Sequence, residues 1–171
     1  MVQMVDNSTP MDEMTAVSPR SLLRRFYDLQ AERVQTYLLF DEGFQAYLKG
    51  APNYNFNMYR QLVHEITETF QKISQDVIGV KDRLANVCNM NQIANILDQV
   101  QDEERNKLEL TASLQIAQQN AVDHPTDECY KAEVVELKLK VSERIQNINE
   151  YLEELKYESE NLYEDEEEEE R

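Results

Sequence analysis

The sequence predicts an all-α protein: an antiparallel four-helix bundle, or an elongated, coiled-coil-like helical bundle with short loops. A row of apolar residues in the middle of the chain alternates in steps of four and three: Tyr59, Val63, Ile66, Phe70, Ile73, Val77, Val80, Leu84 and Val87. A 3.5-residue period keeps such side chains on one helix face, against other helices. The 171 residues also include only three glycines and four prolines. We therefore expect few, long elements.

The first helix is predicted over residues 19–49. Ser18 offers an N-cap oxygen, and Pro19 occupies the first helical position, where its missing N–H costs nothing. Gly50 is expected to supply a left-handed C-cap, and Pro52 prevents further helix. The apolar face of this helix consists of Leu22, Phe26, Leu29, Tyr37, Phe40, Phe44 and Tyr47.

The row of apolar residues described above forms the second helix, predicted over residues 56–87, and a third helix is predicted over residues 90–120. Asn89 followed by Gln92 resembles a capping box at the start of the third helix, although neither glycine nor proline marks this boundary. Between its apolar residues, the segment 101–107 is polar on every side, which predicts a weaker seam at that level. The apolar residues are Ile93, Ile96, Leu97, Val100, Leu108, Leu110 and Leu114.

The fourth helix is predicted over residues 127–163. Thr126 is the expected N-cap, and Asp127 and Glu128 place negative charge at the positive end of the helix dipole. A second heptad follows, with Lys138 and Ser159 at two of its positions. Its apolar members are Val134, Val141, Ile145, Ile148, Leu152, Leu155 and Leu162.

The chain is thus predicted to be one helical domain, 18–163, between a disordered N-terminal arm, 1–17, and an acidic disordered tail, 164–171. The formal net charge is −17. Such a charge repels phosphate backbones and anionic lipids, so we expect neither direct nucleic-acid binding nor membrane association. Basic protein surfaces are more favourable partners.

Cysteine usage and the absence of an apolar leader favour an intracellular protein, and they fit the nucleus and the cytoplasm equally. Cys88 and Cys129 make no disulfide framework. No apolar N-terminal stretch resembles a signal peptide or a membrane span.

No catalytic, cofactor or metal site is predicted, and we expect a protein that is not an enzyme. Helical bundles that hold two iron ions use two Glu-x-x-His motifs. Gln61 and Ala121 stand three residues before His64 and His124, so the motif is missing at both histidines. The sequence also lacks a glycine-rich phosphate loop and a strand-to-helix nucleophile turn.

Aromatic residues crowd the predicted turn between the first two helices: Tyr47, Tyr54, Phe56 and Tyr59. A hydrophobic plug that closes the end of the bundle is the favoured interpretation, and a protein-docking patch is the alternative.

Gly43 lies within the first helix, where glycine lowers stability by about 1 kcal/mol relative to alanine. Close approach of a neighbouring helix is the leading reason for it, ahead of a kink or a groove for a partner.

A distinctive block of residues resembles a known family. It comprises Leu29-Gln30-Ala31-Glu32-Arg33, Tyr37, Glu42-Gly43-Phe44, Tyr47-Leu48, Tyr54, Phe56, Tyr59, Val63-His64-Glu65 and Phe70, with a looser likeness over roughly residues 20–160. These residues resemble the Required for excision 1-B domain family. The resemblance implies a small all-helical protein associated with excision repair of DNA, and a nuclear location. It implies no catalytic residue, cofactor or defined substrate.

We therefore expect a non-catalytic adaptor or assembly factor associated with DNA excision repair, acting through protein–protein contacts on helix faces. The alternative is a structural coiled-coil protein, or a subunit of a cytoskeletal or trafficking complex, with no direct repair role. Expected partners are excision-repair factors or basic proteins, and the heptads fit both a monomer and a homodimer. Polar residues of the distinctive block are predicted to contact a partner, with hydrogen bonds inside the bundle and ion pairs on helix faces as the alternative role. They are Gln30, Glu32, Arg33, Glu42, Tyr54 and His64.

Overall fold

The computed structural model describes residues 18–169, the last seven of them as backbone alone, and it is helical almost throughout. Its helices are α1 (Pro19–Leu48), α2 (Phe56–Asn86), α3 (Asn91–Asp123) and α4 (Glu128–Glu169). Each helix packs on the next one along the chain. No strand occurs in the described part, and the predicted all-α helical bundle is confirmed. The predicted arm, 1–17, lies outside the described residues.

The first two helices begin where side chains cap their free N–H groups. Ser18 precedes α1, and its Oγ accepts a hydrogen bond from the N–H of Ser21 at 3.2 Å. Asn55 precedes α2, and its Oδ1 accepts from the N–H of Met58 at 3.2 Å. Capping of this kind satisfies donors that have no partner within the helix.

The predicted left-handed C-cap at Gly50 is wrong. No described glycine has a positive φ, and α1 ends at Lys49 in a right-handed conformation with φ −63° and ψ −18°. The N–H groups of Gly50 and Ala51 instead donate to the carbonyls of Tyr47 and Leu48, both at 3.1 Å. These tighter bonds satisfy the last carbonyls of the helix without a left-handed residue.

Asn89 lies between α2 and α3, and the predicted capping box at this residue is wrong. Asn89 has φ 54°, a left-handed conformation that asparagine adopts more readily than most residues. The turn is closed by the N–H of Met90, which donates to the carbonyl of Leu84 at 2.9 Å. Met90 itself stands at the N-cap of α3 and contributes no side-chain hydrogen bond there.

Both ends of α4 differ from the prediction. At its start Asp127, rather than Thr126, supplies the acceptor, because Asp127 Oδ1 takes the N–H of Cys129 at 2.9 Å. At its other end the helix continues beyond residue 163 to Glu169, through most of the segment predicted as a disordered tail. Glutamate is a good helix former, and no glycine or proline interrupts this segment. Residues 170 and 171 lie outside the described part.

Two apolar clusters form the core. The larger one draws on all four helices and joins the start of α1 and of α3 to the later parts of α2 and α4, so that neighbouring helices are antiparallel. Its buried members are Leu22, Leu23, Phe26, Leu29, Ile73, Val77, Val80, Leu84, Ile93, Ile96, Leu97, Val100, Ile148 and Leu155. The smaller cluster joins α1, α2 and α3, with buried Phe40, Ile66 and Phe70 and partly buried Tyr37, Leu62, Val63 and Leu108 around them. The predicted seam of α2 is thus buried from Ile66 to Leu84.

The first half of α4 departs from the predicted heptad at two positions, where Leu137 and Arg144 face inward in place of Lys138 and Ile145. Leu137 is buried, whereas Ile145 is 39% exposed. The neighbouring Arg144 faces α3, where its Nη1 lies 3.2 Å from Glu103 Oε2. Because this ion pair occupies the contact with α3, Ile145 turns towards solvent.

Gly43 allows α1 and α2 to approach closely, which confirms the leading explanation for this glycine. A Cβ atom at Gly43 would lie 2.9 Å from Leu62 Cδ1 and closer still to Leu62 Cδ2. At Gly79 of α2, in contrast, an added Cβ would have no atom within 4 Å.

The two glycines predict opposite outcomes for the same substitution. Gly79→Ala should raise the free energy of unfolding by about 1 kcal/mol, because alanine has the higher helix propensity. Gly43→Ala should gain nothing or lose stability, since displacing a packed side chain costs about 1–3 kcal/mol. Urea unfolding followed by circular dichroism measures both values. Equal stabilisation by the two variants would contradict the close contact at Gly43.

Candidate functional site

The turn between α1 and α2 carries a packed group of aromatic side chains, which we call the aromatic end: Tyr47, Tyr54, Phe56 and Tyr59. Tyr47 and Tyr59 stack with their ring centroids 4.4 Å apart, and Tyr54 lies 4.8 Å from Tyr47. Tyr47 is buried, whereas Phe56 is 61% exposed. The tyrosines therefore close this end of the bundle as predicted, while Phe56 leaves its ring in solvent.

Three phenols of the aromatic end attach the turn to α3. Tyr47, Tyr54 and Tyr59 donate hydrogen bonds to Gln119, Asp123 and Gln115 at 3.1, 2.5 and 2.6 Å, respectively. All three acceptors belong to the last turns of α3. Each bond spans two elements that are distant in sequence, so together they hold the α1–α2 turn in one position.

Burial raises the pKa of each of these phenols. At Tyr54, the hydrogen bond to Asp123 and the negative charge of its carboxylate add to the effect of burial and raise the pKa to about 12. At Tyr59, burial acts together with the neighbouring Tyr47. The three hydroxyls are therefore protonated donors at neutral pH.

A cavity of about 350 Å³ lies beside the aromatic end, in the angle between α1 and α2. Gly43 and Ala46 line it from α1, and Met58, Leu62 and Glu65 line it from α2. Met58 is 66% exposed, so it extends the apolar surface of the cavity outward. Pockets of about 300–1,000 Å³ with mainly apolar walls are typical of binding sites.

A second cluster, the polar layer, crosses the bundle between the two apolar clusters. Arg33 is only 3% exposed. Its Nη1 donates to Gln30 Oε1 at 2.6 Å, and its Nη2 donates to Ser74 Oγ at 3.4 Å and also to Gln101 Oε1. The amide of Gln30 donates in turn to Glu104 Oε1 at 3.3 Å. Burial lowers the pKa of Arg33, and the charge of Glu104 opposes this shift.

The polar layer extends to α4 through a second carboxylate of α3. Arg144 Nη1 donates to Glu103 Oε1 and Oε2 at 3.3 and 3.2 Å, and Asn147 Nδ2 donates to Glu103 Oε2 at 3.3 Å. Segment 101–107, predicted as a weak point of the seam, therefore contributes hydrogen-bonded groups to the inside of the bundle.

The six predicted partner contacts fall into two groups. Gln30 and Arg33 are buried in the polar layer, so the structure gives them the alternative role, hydrogen bonding inside the bundle. Glu32, Glu42 and His64 are exposed, whereas Tyr54 is partly buried and also makes a hydrogen bond inside the bundle, to Asp123.

Three of the remaining residues lie near the cavity, and their contact with a partner stays a prediction. Glu42 precedes Gly43 of the cavity wall, and Tyr54 belongs to the aromatic end. His64 precedes Glu65, and its Nε2 lies 3.2 Å from Glu68 Oε1. Glu32 lies about three turns from Gly43 along α1. Met58 and Leu62 were missed as wall residues because only the folded turn brings them opposite Gly43.

A sequence model of the DNA repair REX1-B family matches residues 21–118. The chain belongs to this family. Two relatives, both called Required for excision 1-B domain-containing protein, support the assignment. The protein from Bos taurus is 32% identical over 141 residues, which cover 82% of this chain and 77% of the relative. The protein from Mus musculus is 31% identical over 140 residues, which cover 82% of this chain and 80% of the relative.

Membership in the family confirms the resemblance seen in the sequence. No solved structure matches the chain. The matched segment, 21–118, includes α2, nearly all of α1 and most of α3. It therefore contains every residue that lines the cavity, as well as Gln30, Arg33 and Glu104 of the polar layer.

The structure offers few groups suited to metal binding. In the part of the chain that it describes, no three His, Cys, Asp or Glu side chains are grouped so that they could hold a metal ion. His124 Nδ1 lies 3.1 Å from the carbonyl oxygen of Asn120. Cys88 is partly buried, and Cys129 is exposed.

None of the described helices has the length and apolar character needed to cross a membrane.

The polar layer predicts that two arginines of α1 contribute very differently to the free energy of unfolding. Arg33→Met should lower the free energy of unfolding by about 3–5 kcal/mol, because it leaves buried polar groups without their partner. Arg25→Met is the matched control, since Arg25 pairs with Asp76 at 3.4 Å and the two side chains are 51% and 38% exposed. Its cost should stay below about 1 kcal/mol. Chemical unfolding measures both, and equal costs would contradict the role of Arg33.

The phenol of Tyr54 predicts a loss of stability at high pH. Its pKa is raised in the folded state from 10.0 to about 12, so folding favours the protonated phenol. The resulting stabilisation is complete below pH 10 and is lost as the pH rises from 10 through 12. Phenolate absorbance should show one late-titrating group fewer in Tyr54→Phe, and an earlier transition in Asp123→Asn. An unchanged titration in Asp123→Asn would contradict the effect of that carboxylate.

Proposed function

We propose that this protein is a non-catalytic adaptor or assembly factor associated with DNA excision repair, and that it contacts other proteins at its aromatic end. Membership in the DNA repair REX1-B family supports the link to repair. The name of both relatives, Required for excision 1-B domain-containing protein, supports a step that includes excision.

The observation that carries the proposal is the apolar cavity with an apolar rim. Met58 is 66% exposed in the cavity wall, and Phe56 is 61% exposed on the aromatic end, where it lines a separate groove with Tyr54 and Val122. Exposed aromatic and methionine side chains around a pocket are typical of surfaces that bind proteins. The phenols that bond to α3 hold this surface in place, so little ordering would be needed on binding.

The charge of the chain supports contact with proteins rather than with DNA. A formal net charge of −17 opposes approach to a phosphate backbone, whose binding depends on lysine and arginine contacts. The same charge attracts basic protein surfaces and speeds their association. The proposed role therefore places DNA contact with the partners.

Proximity labelling before and after ultraviolet damage tests the proposal. A labelling enzyme fused to the wild-type protein should label excision-repair factors, and more strongly after damage. The double variant Phe56→Asp/Met58→Asp should lose this labelling, because it places one charge on the exposed face of the aromatic end and one in the cavity wall. Both substitutions lie in the first turn of α2, where acidic residues favour the helix, so the variant should fold.

The first half of α4 offers a matched control. Val135 and Leu139 are 60% and 61% exposed, and Val135→Asp/Leu139→Asp adds the same charge on a different helix, outside the aromatic end and the cavity lining. This variant should label the same factors as the wild-type protein. Labelling of cytoskeletal proteins alone, with or without damage, would overturn the link to repair. Equal labelling by both double variants would overturn the aromatic end as the contact surface.

A further inference from the structure

We infer that the cavity holds one bulky apolar side chain of a partner segment, and that a lysine or arginine of the same segment pairs with Glu65. This inference rests on the proposed function and specifies the chemistry of the partner. Three features of the site carry it: the shape of the cavity, the polar groups and the unbranched Met58 side chain at its rim, and the charge at its edge.

The cavity is shaped for an apolar side chain. The absence of a side chain at Gly43 and the small one at Ala46 make the α1 wall shallow, while Leu62 and Met58 form an apolar wall on α2. The stack of Tyr47 on Tyr59 and the bond from Tyr59 to Gln115 fix the inner wall. A preformed apolar pocket of this kind is where an interface places its main anchor residue.

The rim favours a side chain on a peptide over a small polar ligand. Asn55 Oδ1 already accepts the N–H of Met58, and Gln61 Nε2 donates to Glu65 Oε1 at 3.2 Å. These polar groups are therefore engaged within the protein. Met58 is unbranched and exposed, so it can adjust to the flanking residues of a bound segment.

Glu65 supplies the charge complementarity. Its side chain is exposed at the edge of the cavity, and within the described residues its carboxylate has the amide of Gln61 as a partner but no ion pair. Residues 41–68, which form this end of the bundle, contain four carboxylates and two lysine or arginine side chains. A basic residue next to the apolar anchor would therefore be attracted, and an acidic one repelled.

Selection from a phage-displayed library of random 12-residue peptides on the full-length protein tests the inference. The selected peptides should share one Leu, Ile, Phe, Met or Trp with a Lys or Arg within two residues of it. Enrichment of peptides without the apolar residue, enrichment without the basic residue, or no enrichment would each overturn the inference.

Two pairs of variants then locate the binding of the strongest selected peptide. Ala46→Phe fills the cavity from α1 and should weaken binding at least ten-fold, while Ala31→Phe, at another exposed alanine of α1, should leave it unchanged. Glu65→Gln should weaken binding by about two- to five-fold, as expected for an exposed charge pair. Glu150→Gln is its control, since Gln146 Nε2 donates to Glu150 Oε1 at 3.3 Å in the same four-residue spacing on α4. Equal affinity for Ala46→Phe and the wild-type protein would overturn the cavity as the site.

Light scattering distinguishes a second copy of the chain as the occupant. A dimer of the wild-type protein that becomes a monomer in Ala46→Phe would overturn a basic partner segment.

The failure of this inference can be distinguished from the failure of the proposed function. Selected peptides that bind the cavity without damage-dependent labelling would refute the repair role alone. Labelling that depends on Phe56 and Met58, without basic apolar peptides, would refute this inference alone.

Discussion

The buried guanidinium of Arg33 is the constraint on which the arrangement of α1, α2 and α3 depends. A charge in an apolar interior is unfavourable unless it is paired and hydrogen-bonded. Arg33 is hydrogen-bonded where Gln30, Ser74 and Gln101 converge on it. The negative charge of Glu104 lies near enough to favour its charged form. Sliding α2 or α3 by one turn would remove one of these acceptors. Apolar heptads alone permit several registers, and buried polar groups can select one of them.

The polar layer also divides the core and thereby shapes the two ends of the bundle. On one side of it, all four helices share the larger apolar cluster. On the other side, the smaller cluster belongs to α1, α2 and α3, and the first half of α4 keeps Val135 and Leu139 exposed. The end with the smaller cluster relies on other contacts, and the phenols of Tyr47, Tyr54 and Tyr59 supply them by bonding to α3.

Features that depend on local sequence were predictable, and features that depend on packing were not. The N-cap at Ser18 and the seam of α2 follow from residue type and period, and the structure has both. The conformations of Gly50 and Asn89 depend on which backbone hydrogen bonds close each turn, and residue type alone does not determine that. Arg144 faces α3 where Ile145 was predicted to do so, because Arg144 pairs with Glu103 on that helix. The burial of Arg33 likewise required partners up to 68 residues away in sequence.

The same reasoning explains why the candidate site was only partly visible in the sequence. Gly43 was recognisable as unusual, because glycine weakens a helix interior. The contact that justifies it, Leu62, lies on the opposite side of a turn whose path could not be predicted. With Leu62 packed against the bare backbone of α1, the two helices come close at Gly43, and the cavity lies next to this contact. A single glycine thus links the packing of the helix pair to the shape of the cavity, and a side chain at position 43 would alter both.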